Sequence, residues 1–289
     1  NGKQKTGYIR IIEFTPKTPS RVQEALNSFK EAAFDSLIID LRNNPGGLIT
    51  SVVEVADKFI DSGIIVSTKS RLTFENSVYR ATAKATVLPK GIPVVVLINK
   101  GSASASEILA GALKDDHLAY LVGERTYGKG SVQQVVPLPN SDGIKLTMAR
   151  YYTPSDSNID KIGIPPDKEV LLPVLSESEE KAYANLVTDG TIAKYAETHP
   201  NMSEKEIAAY AKELQKSYNL ELRLLRRLIK LEVNRKKPAD LYDLDYDLQL
   251  QAALETLKLP NFNALVKSAK TIKELQADAA SESAQAAKK

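Results

Sequence analysis

The stretch Ile92-Pro-Val-Val-Val-Leu-Ile-Asn-Lys-Gly-Ser-Ala-Ser-Ala-Ser-Glu107 decides the fold, because it joins a buried strand, a small-residue loop and the start of a helix. Its continuous apolar run is typical of a strand covered on both faces of a largely parallel sheet. We expect the helix to run from Ser104 to about residue 113, with Glu107 stabilising the helix dipole from the first turn. This arrangement exposes a hydroxyl and backbone N–H groups at the positive end of the dipole, which suits a nucleophile.

The same order of strand, loop and helix occurs earlier in the chain. Residues 7–14 predict a strand, residues 18–34 an amphipathic helix and residues 36–42 a second buried strand, so the chain opens as β-α-β. The second strand ends in Asn43-Asn-Pro-Gly-Gly47, before a helix of about residues 48–60. Open α/β sheets place their sites at such strand ends, and two glycines before a helix can leave N–H groups free for an oxyanion. An isolated Pro-Gly-Gly is more often a tight turn.

The loop Gly123-Glu-Arg-Thr-Tyr-Gly-Lys-Gly130 contains most of a nucleotide-binding P-loop. Two features argue against phosphate binding. Gly130 stands where magnesium needs a Ser or Thr, and residues 131–136 have strand character, so no helix N-terminus would face the phosphates. Lys129 offers other chemistry, because a serine paired with a neutral lysine can carry out acyl transfer without a histidine.

Composition limits the remaining classes of function. The 289 residues, 43% of them hydrophobic, are enough for one large domain and a smaller appendage. The net charge of +3 comes without a basic, aromatic-rich stripe in residues 1–175, so we expect no nucleic-acid partner. With no cysteine and no run of eighteen apolar residues, the sequence predicts neither a thiolate site nor an integral membrane segment.

Two histidines, His117 and His199, are the only ones in the chain. His117 would lie at the far end of the helix that Ser104 begins, roughly 20 Å away at 1.5 Å per residue, and His199 lies in a predicted loop. We therefore expect no Ser-His-Asp triad, no metal site and no cofactor.

Three segments together resemble the signature motifs of the carboxyl-terminal processing proteases, the tail-specific serine peptidase family. The segments are Asp40-Leu-Arg-Asn-Asn-Pro-Gly-Gly47, the fifteen residues 101–115, and the eleven residues 123–133, and they occur in the family's order. The resemblance implies that Ser104 is the nucleophile, because the family's lysine follows its serine by 25 positions, as Lys129 does here.

The resemblance also implies the rest of the catalytic set. Lys129 would be the general base, Gln133 would orient its amine, and the backbone N–H groups of Gly47 and Ala105 would form the oxyanion hole. It implies a crotonase/ClpP-like α/β protease core, which we place at residues 1–175. A C-terminal all-helical region would follow at 176–276, and a flexible tail at 277–289.

Substrates, partners and location follow from the same resemblance. The family acts on proteins or peptides with apolar C-termini, works in the cell envelope, the periplasm or outside the cell, and uses terminal helices for dimerisation or to cover the active-site tunnel. Its members usually carry an upstream PDZ domain, and no Gly-Leu-Gly-Phe-like carboxylate loop occurs here. The chain would then be either a PDZ-less member or a fragment from which a leader and an upstream domain were removed.

Two alternatives from other classes stay open. A crotonase-like enzyme would use the glycine-loop N–H groups to hold an enolate, and would bind coenzyme A. A catalytically idle scaffold would bind a partner through its helical region, and its binding would not depend on Lys129.

Overall fold

The structure, a computed structural model, describes residues 4–139, 142–238 and 240–286. It divides into two compact units: the residues up to Leu171 together with those from Gln251 onward, and Leu172–Leu250. Among the described ranges, no helix has both the length and the apolar character needed to cross a membrane.

The strands all belong to the first unit. They are β1 (Thr6–Arg10), β2 (Ser36–Asp40), β3 (Ile64–Ser70), β4 (Ser77–Arg80), β5 (Val94–Ile98), β6 (Tyr120–Gly123), β7 (Ser131–Pro137), β8 (Gly143–Tyr152) and β9 (Lys168–Glu169). A parallel sheet in the order β1-β2-β5-β6-β9 forms the centre. Strands β2 and β5 are buried at every position, as their continuous apolar runs predict.

The second sheet is antiparallel and has the order β4-β3-β8-β7. Strands β7 and β8 form an antiparallel hairpin, with Gln133 opposite Thr147 and Val135 opposite Lys145. Residues 140 and 141 at its tip lie outside the described residues. The hairpin extends from the end of the loop that carries Lys129, and so continues one wall of the site.

The first three helices lie between strands, and the other described helices come after the last strand. They are α1 (Thr18–Glu31), α2 (Ile49–Ala56), α3 (Ala105–Asp115), α4 (Glu177–Thr188), α5 (Thr191–Thr198), α6 (Glu204–Tyr218), α7 (Leu222–Val233), α8 (Leu248–Leu257), α9 (Phe262–Ser268) and α10 (Ile272–Ala286). Helix α3 is buried along its whole length, which fixes the direction of its N-terminus. The α/β core followed by helices confirms the predicted fold class.

The predicted domain boundaries differ from the structure at the C-terminus. The helical unit spans Leu172–Leu250, whereas the predicted helical region spans 176–276. The residues from Gln251 onward group with the core unit instead. Helix α10 runs to Ala286, where residues 277–289 were expected to form a flexible tail; residues 287–289 are outside the described part. The physical reason is docking on α3: Ile272 is 1% exposed, and its N–H donates to the Asp115 carboxylate at 2.8 Å.

The second unit has its own core, to which α7 contributes Leu225, Ile229 and Val233. Two basic residues of α7 are paired within the unit, since Arg226 and Lys230 both contact Glu204.

Candidate active site

Ser104 stands at the turn between β5 and α3 in a strained backbone conformation. Its φ of 55° and ψ of −113° lie in a region that non-glycine residues rarely adopt. The buried strand and the buried helix on either side hold the turn in place. Strain of this kind is typical of functional sites, and a serine on a sharp strand-to-helix turn presents its hydroxyl outward.

Glu107 joins the serine loop to the lysine loop. One carboxylate oxygen accepts the N–H of Ser104 at 2.9 Å and the N–H of Lys129 at 2.8 Å. The other accepts the Gly128 N–H at 2.7 Å and the Thr126 hydroxyl. The side chain is fully buried, and burial raises its pKa, while these four donors lower it in part. Glu107 does more than stabilise a helix dipole, because it sets the distance between two loops.

Asn44 holds the glycine turn against the serine loop. Its side chain is fully buried, accepts the Gly46 N–H at 2.9 Å and donates to the Ile11 carbonyl at 2.8 Å. Its backbone carbonyl accepts the Ala103 N–H at 3.0 Å and the Ser106 hydroxyl at 2.9 Å. The turn before α2 and the turn before α3 are therefore fixed relative to each other by one residue.

A side chain at either glycine of this turn would collide with neighbouring atoms. Gly46 has φ +111°, and a Cβ there would lie 2.8 Å from the Ser104 Cβ. Gly47 has φ +139°, and a Cβ there would lie 2.2 Å from the Phe14 carbonyl oxygen. The turn pairs with Phe14 through the Gly46 carbonyl and the Leu48 N–H, both at 2.8 Å. This pattern leaves the Gly47 N–H unused.

Two backbone N–H groups beside Ser104 are free. Within the described ranges, neither Gly47 nor Ala105 donates its N–H to a protein acceptor. Both residues line one cavity with Ser104. A pair of free N–H groups beside a hydroxyl is the arrangement that binds a tetrahedral oxyanion.

The cavity measures about 320 Å³ and contains all five residues that the sequence predicts for the site. The lining residues are Gly47, Leu48, Ile49, Ser104, Ala105, Ile108, Lys129, Ser131, Val132, Gln133, Lys145 and Tyr151. Lys129 is half-buried and Gln133 is exposed. Among the described residues, Lys129, Ser104 and Gln133 share this cavity without a hydrogen bond from the Lys129 amine to either of the other two side chains.

Tyr151 lines the same cavity, although none of the sequence motifs includes it. It lies at the end of β8 and is 2% exposed. Its hydroxyl donates to the Lys129 carbonyl and faces the Ser104 side chain. Burial raises its pKa well above the usual range, so the phenol stays a neutral donor.

Both histidines contact backbone carbonyl groups. The Nδ1 of His117 is 3.2 Å from the Val266 carbonyl oxygen, and the Nδ1 of His199 is 3.0 Å from the Tyr195 carbonyl oxygen in the second unit. Neither residue lines the cavity that contains Ser104.

An α/β core with a serine at a strained strand-to-helix turn is an arrangement found among serine hydrolases. Residues 5–170 match the model of peptidase family S41. The chain belongs to this family.

Curated relatives agree with this assignment. A carboxy-terminal-processing protease of Bartonella bacilliformis is 46% identical over 172 residues, which are 58% of this chain and 39% of that protein. A carboxyl-terminal-processing protease of Synechocystis is 43% identical over 176 residues, which are 61% of this chain and 40% of that protein. The chain thus spans about two fifths of the length of these relatives.

Among solved structures, the photosystem II D1 C-terminal processing protease is similar, with a TM-score of 0.54 and 39% identity. The match covers 59% of this chain and 44% of that chain.

Proposed function

We propose that the chain is a serine endopeptidase in which Ser104 attacks a peptide carbonyl and Lys129 is the general base. One observation carries the proposal: a strained serine, two free N–H groups and a lysine line the same cavity. Acyl transfer needs these three parts, namely a nucleophile, a base and donors for the oxyanion.

The proposed reaction uses Lys129 in its neutral form. The amine accepts the hydroxyl proton of Ser104 while Oγ bonds to the substrate carbonyl carbon, and the N–H groups of Gly47 and Ala105 bind the oxyanion. When the C–N bond breaks, the Lys129 ammonium returns the proton to the leaving amine. Water then attacks the acyl-enzyme and its proton passes to Lys129. As the ester bond breaks and the acid leaves, Lys129 gives that proton to Oγ, which restores the Ser104 hydroxyl and the neutral amine. Gln133 would accept a hydrogen bond from the Lys129 amine and orient it.

The cavity wall and the relatives suggest the substrate class. Leu48, Ile49, Ile108 and Val132 form an apolar wall that fits an apolar side chain near the scissile bond. The relatives are processing proteases of carboxyl termini from bacteria and chloroplasts. We therefore propose protein substrates with apolar C-termini, cut near the end of the chain, and a location in the cell envelope, the periplasm or outside the cell. Dimerisation through the C-terminal helices is proposed from the family resemblance alone.

The test is cleavage of an unstructured protein with an apolar C-terminus, followed by intact mass. The chain is compared with Ser104→Ala and Lys129→Ala, and with Lys69→Ala as a surface control. We expect cutting near the C-terminus by the unmodified chain and the control only. Cutting that survives Ser104→Ala would contradict the proposal.

The alternatives have their own tests. If none of the four chains cleaves the substrate, the same assay is repeated on a longer, PDZ-bearing chain, and absence of cleavage there would favour a scaffold. Coenzyme A binding that is indifferent to Ser104→Ala would favour a crotonase-like enzyme.

A further inference from the structure

Lys145 is a lysine of the cavity that the proposed reaction does not use. Lys129 and Lys145 line this cavity, and no Asp or Glu is among its described lining residues. The nearby carboxylate of Glu107 is fully buried and already accepts four hydrogen bonds. A cleft lined by charge of one sign with low-dielectric walls concentrates the opposite charge, here an anion.

Lys145 faces the cavity because of the strand register. It lies on β8 opposite Val135, while Thr147, two residues further along the strand, lies opposite Gln133. Residues two apart on a strand share a face, and directly paired residues share it too, so Lys145 lies on the same face as Gln133. Since Gln133 and Lys145 both line the cavity, this face is the cavity wall.

Lys145 is exposed and has no ion-pair partner among the described residues. Lys69, on the adjacent strand β3, differs in this respect. Its ammonium pairs with Asp156 and lies 4.1 Å from the centroid of the Tyr152 ring. Lys69 is thus occupied by the protein itself, whereas the Lys145 ammonium is available to a ligand.

We propose that Lys145 binds a carboxylate of the substrate close to the scissile bond. This inference rests on the proposed function, because it places a peptide in the cavity of Ser104. An extended peptide rises about 3.4 Å per residue, so a chain bound at Ser104 brings a carboxylate to the β7–β8 wall within a few residues. The carboxylate belongs either to the free C-terminus or to an acidic side chain near it. In the first case Lys145 measures the distance from the cut to the end of the chain.

The test measures binding in the Ser104→Ala background, so that it does not depend on turnover. Three fluorescent peptides share one apolar sequence: one ends in a free acid, one in an amide, and one in an amide with a single Glu near the end. Binding is followed by anisotropy for Ser104→Ala alone, with Lys145→Met, and with Lys69→Met as the matched control. Methionine keeps the unbranched side chain and removes the charge.

We expect the free acid to bind roughly 2–5-fold more tightly than the amide at low salt, with the preference shrinking as salt is raised. Lys145→Met should abolish this preference, and Lys69→Met should keep it. If the Glu peptide matches the free acid, the ligand is any carboxylate; if it binds like the amide, the ligand is the free C-terminus.

Equal binding of all three peptides, no binding of any of them, or a preference that survives Lys145→Met would overturn the proposal. The proposed function is tested separately, by measuring whether the chain that retains Ser104 cleaves the amide peptide. A failure of carboxylate recognition is thereby distinguished from a failure of catalysis.

Discussion

The carboxylate of Glu107 accepts the backbone N–H of Lys129 at 2.8 Å, across two loops that the sequence separates by 22 positions. The same oxygen accepts the N–H of Ser104 at 2.9 Å. The proposed nucleophile and the proposed base are therefore held by one buried side chain. The distance between Ser104 and Lys129 therefore depends on Glu107 as well as on the two loops.

Glu107→Gln should disconnect the two loops. The glutamine keeps the shape but replaces one acceptor oxygen with an NH₂ group, which would face backbone N–H donors in a buried place. We expect a loss of about 2–4 kcal/mol in the free energy of unfolding and a fall in kcat on the order of 10². Urea unfolding and peptide cleavage measure the two effects, with the exposed Glu24→Gln on α1 as the control. A Glu107→Gln variant as stable and active as Glu24→Gln would refute this role.

Gly46→Ala should inactivate the site through Ser104. A Cβ at Gly46 would lie 2.8 Å from the Ser104 Cβ, and the backbone φ is +111°. Gly63 separates the two effects, because its φ is +100° but a Cβ there meets nothing within 4 Å. We expect Gly63→Ala to cost about 1 kcal/mol of stability and keep its activity. Gly46→Ala should lose activity by 10²-fold or more, on the order expected when a reacting group is misplaced by about 1 Å. Equal activity of the two variants would show that the turn does not position the serine.

Tyr151→Phe should lower kcat more than it raises KM. The substitution removes the hydroxyl that donates to the Lys129 carbonyl and faces the Ser104 side chain. We expect roughly a 10-fold fall in kcat, with a change in unfolding free energy of about 1 kcal/mol. Tyr152→Phe is the matched control, since the neighbouring ring lies beside Lys69 and does not line the cavity. The reaction rate of Ser104 with a fluorophosphonate should fall in parallel with kcat. If that rate is unchanged, Tyr151 does not position the serine.

Asp116→Asn should change the pH dependence of stability. Burial and the neighbouring Asp115 raise the pKa of Asp116 to about 6, with a smaller contribution from Asp61 and an opposing one from His117. Because the folded pKa is the higher one, the unfolded chain loses its proton first. Stability therefore falls as pH rises from about 4 to about 6, and it stays reduced above that range.

The asparagine cannot ionise, so the variant should gain stability relative to the wild type as pH rises. We expect a gain of about 1 kcal/mol between pH 4 and pH 7.5, a figure discounted because the carboxyl is only half-buried. Urea unfolding at the two pH values measures it. A difference between variant and wild type that is the same at both pH values would contradict the raised pKa.

Local patterns predict the parts of the fold that depend on near neighbours. The apolar runs of β2 and β5 identify buried parallel strands, and Ser203 with Glu206 identifies the capping box of α6. Thr271 with Glu274 is another capping box, at the start of α10, and is a local pattern of the same kind.

Contacts between distant residues could not be predicted in this way. The docking of α10 depends on Asp115 and Ile272, which are 157 positions apart, and the sequence gives no sign of the match. Tyr151 is similar, because whether a tyrosine at a strand end faces solvent or a cavity depends on the register of β8 with β3 and β7. The site residues differ, because the sequence motifs name all five of them and all five line one cavity. Their roles stay proposals.

Trapping of the acyl-enzyme tests the central claim most directly. The chain is mixed with an excess of an activated peptidyl ester that has an apolar acyl residue and quenched in acid within seconds, and the adduct is located by intact mass and peptide mapping. We predict one acyl group on Ser104, none in Ser104→Ala, and formation slowed by at least 10²-fold in Lys129→Met. An adduct at another residue, or acylation of Ser104 at an unchanged rate in Lys129→Met, would contradict the Ser104 and Lys129 mechanism.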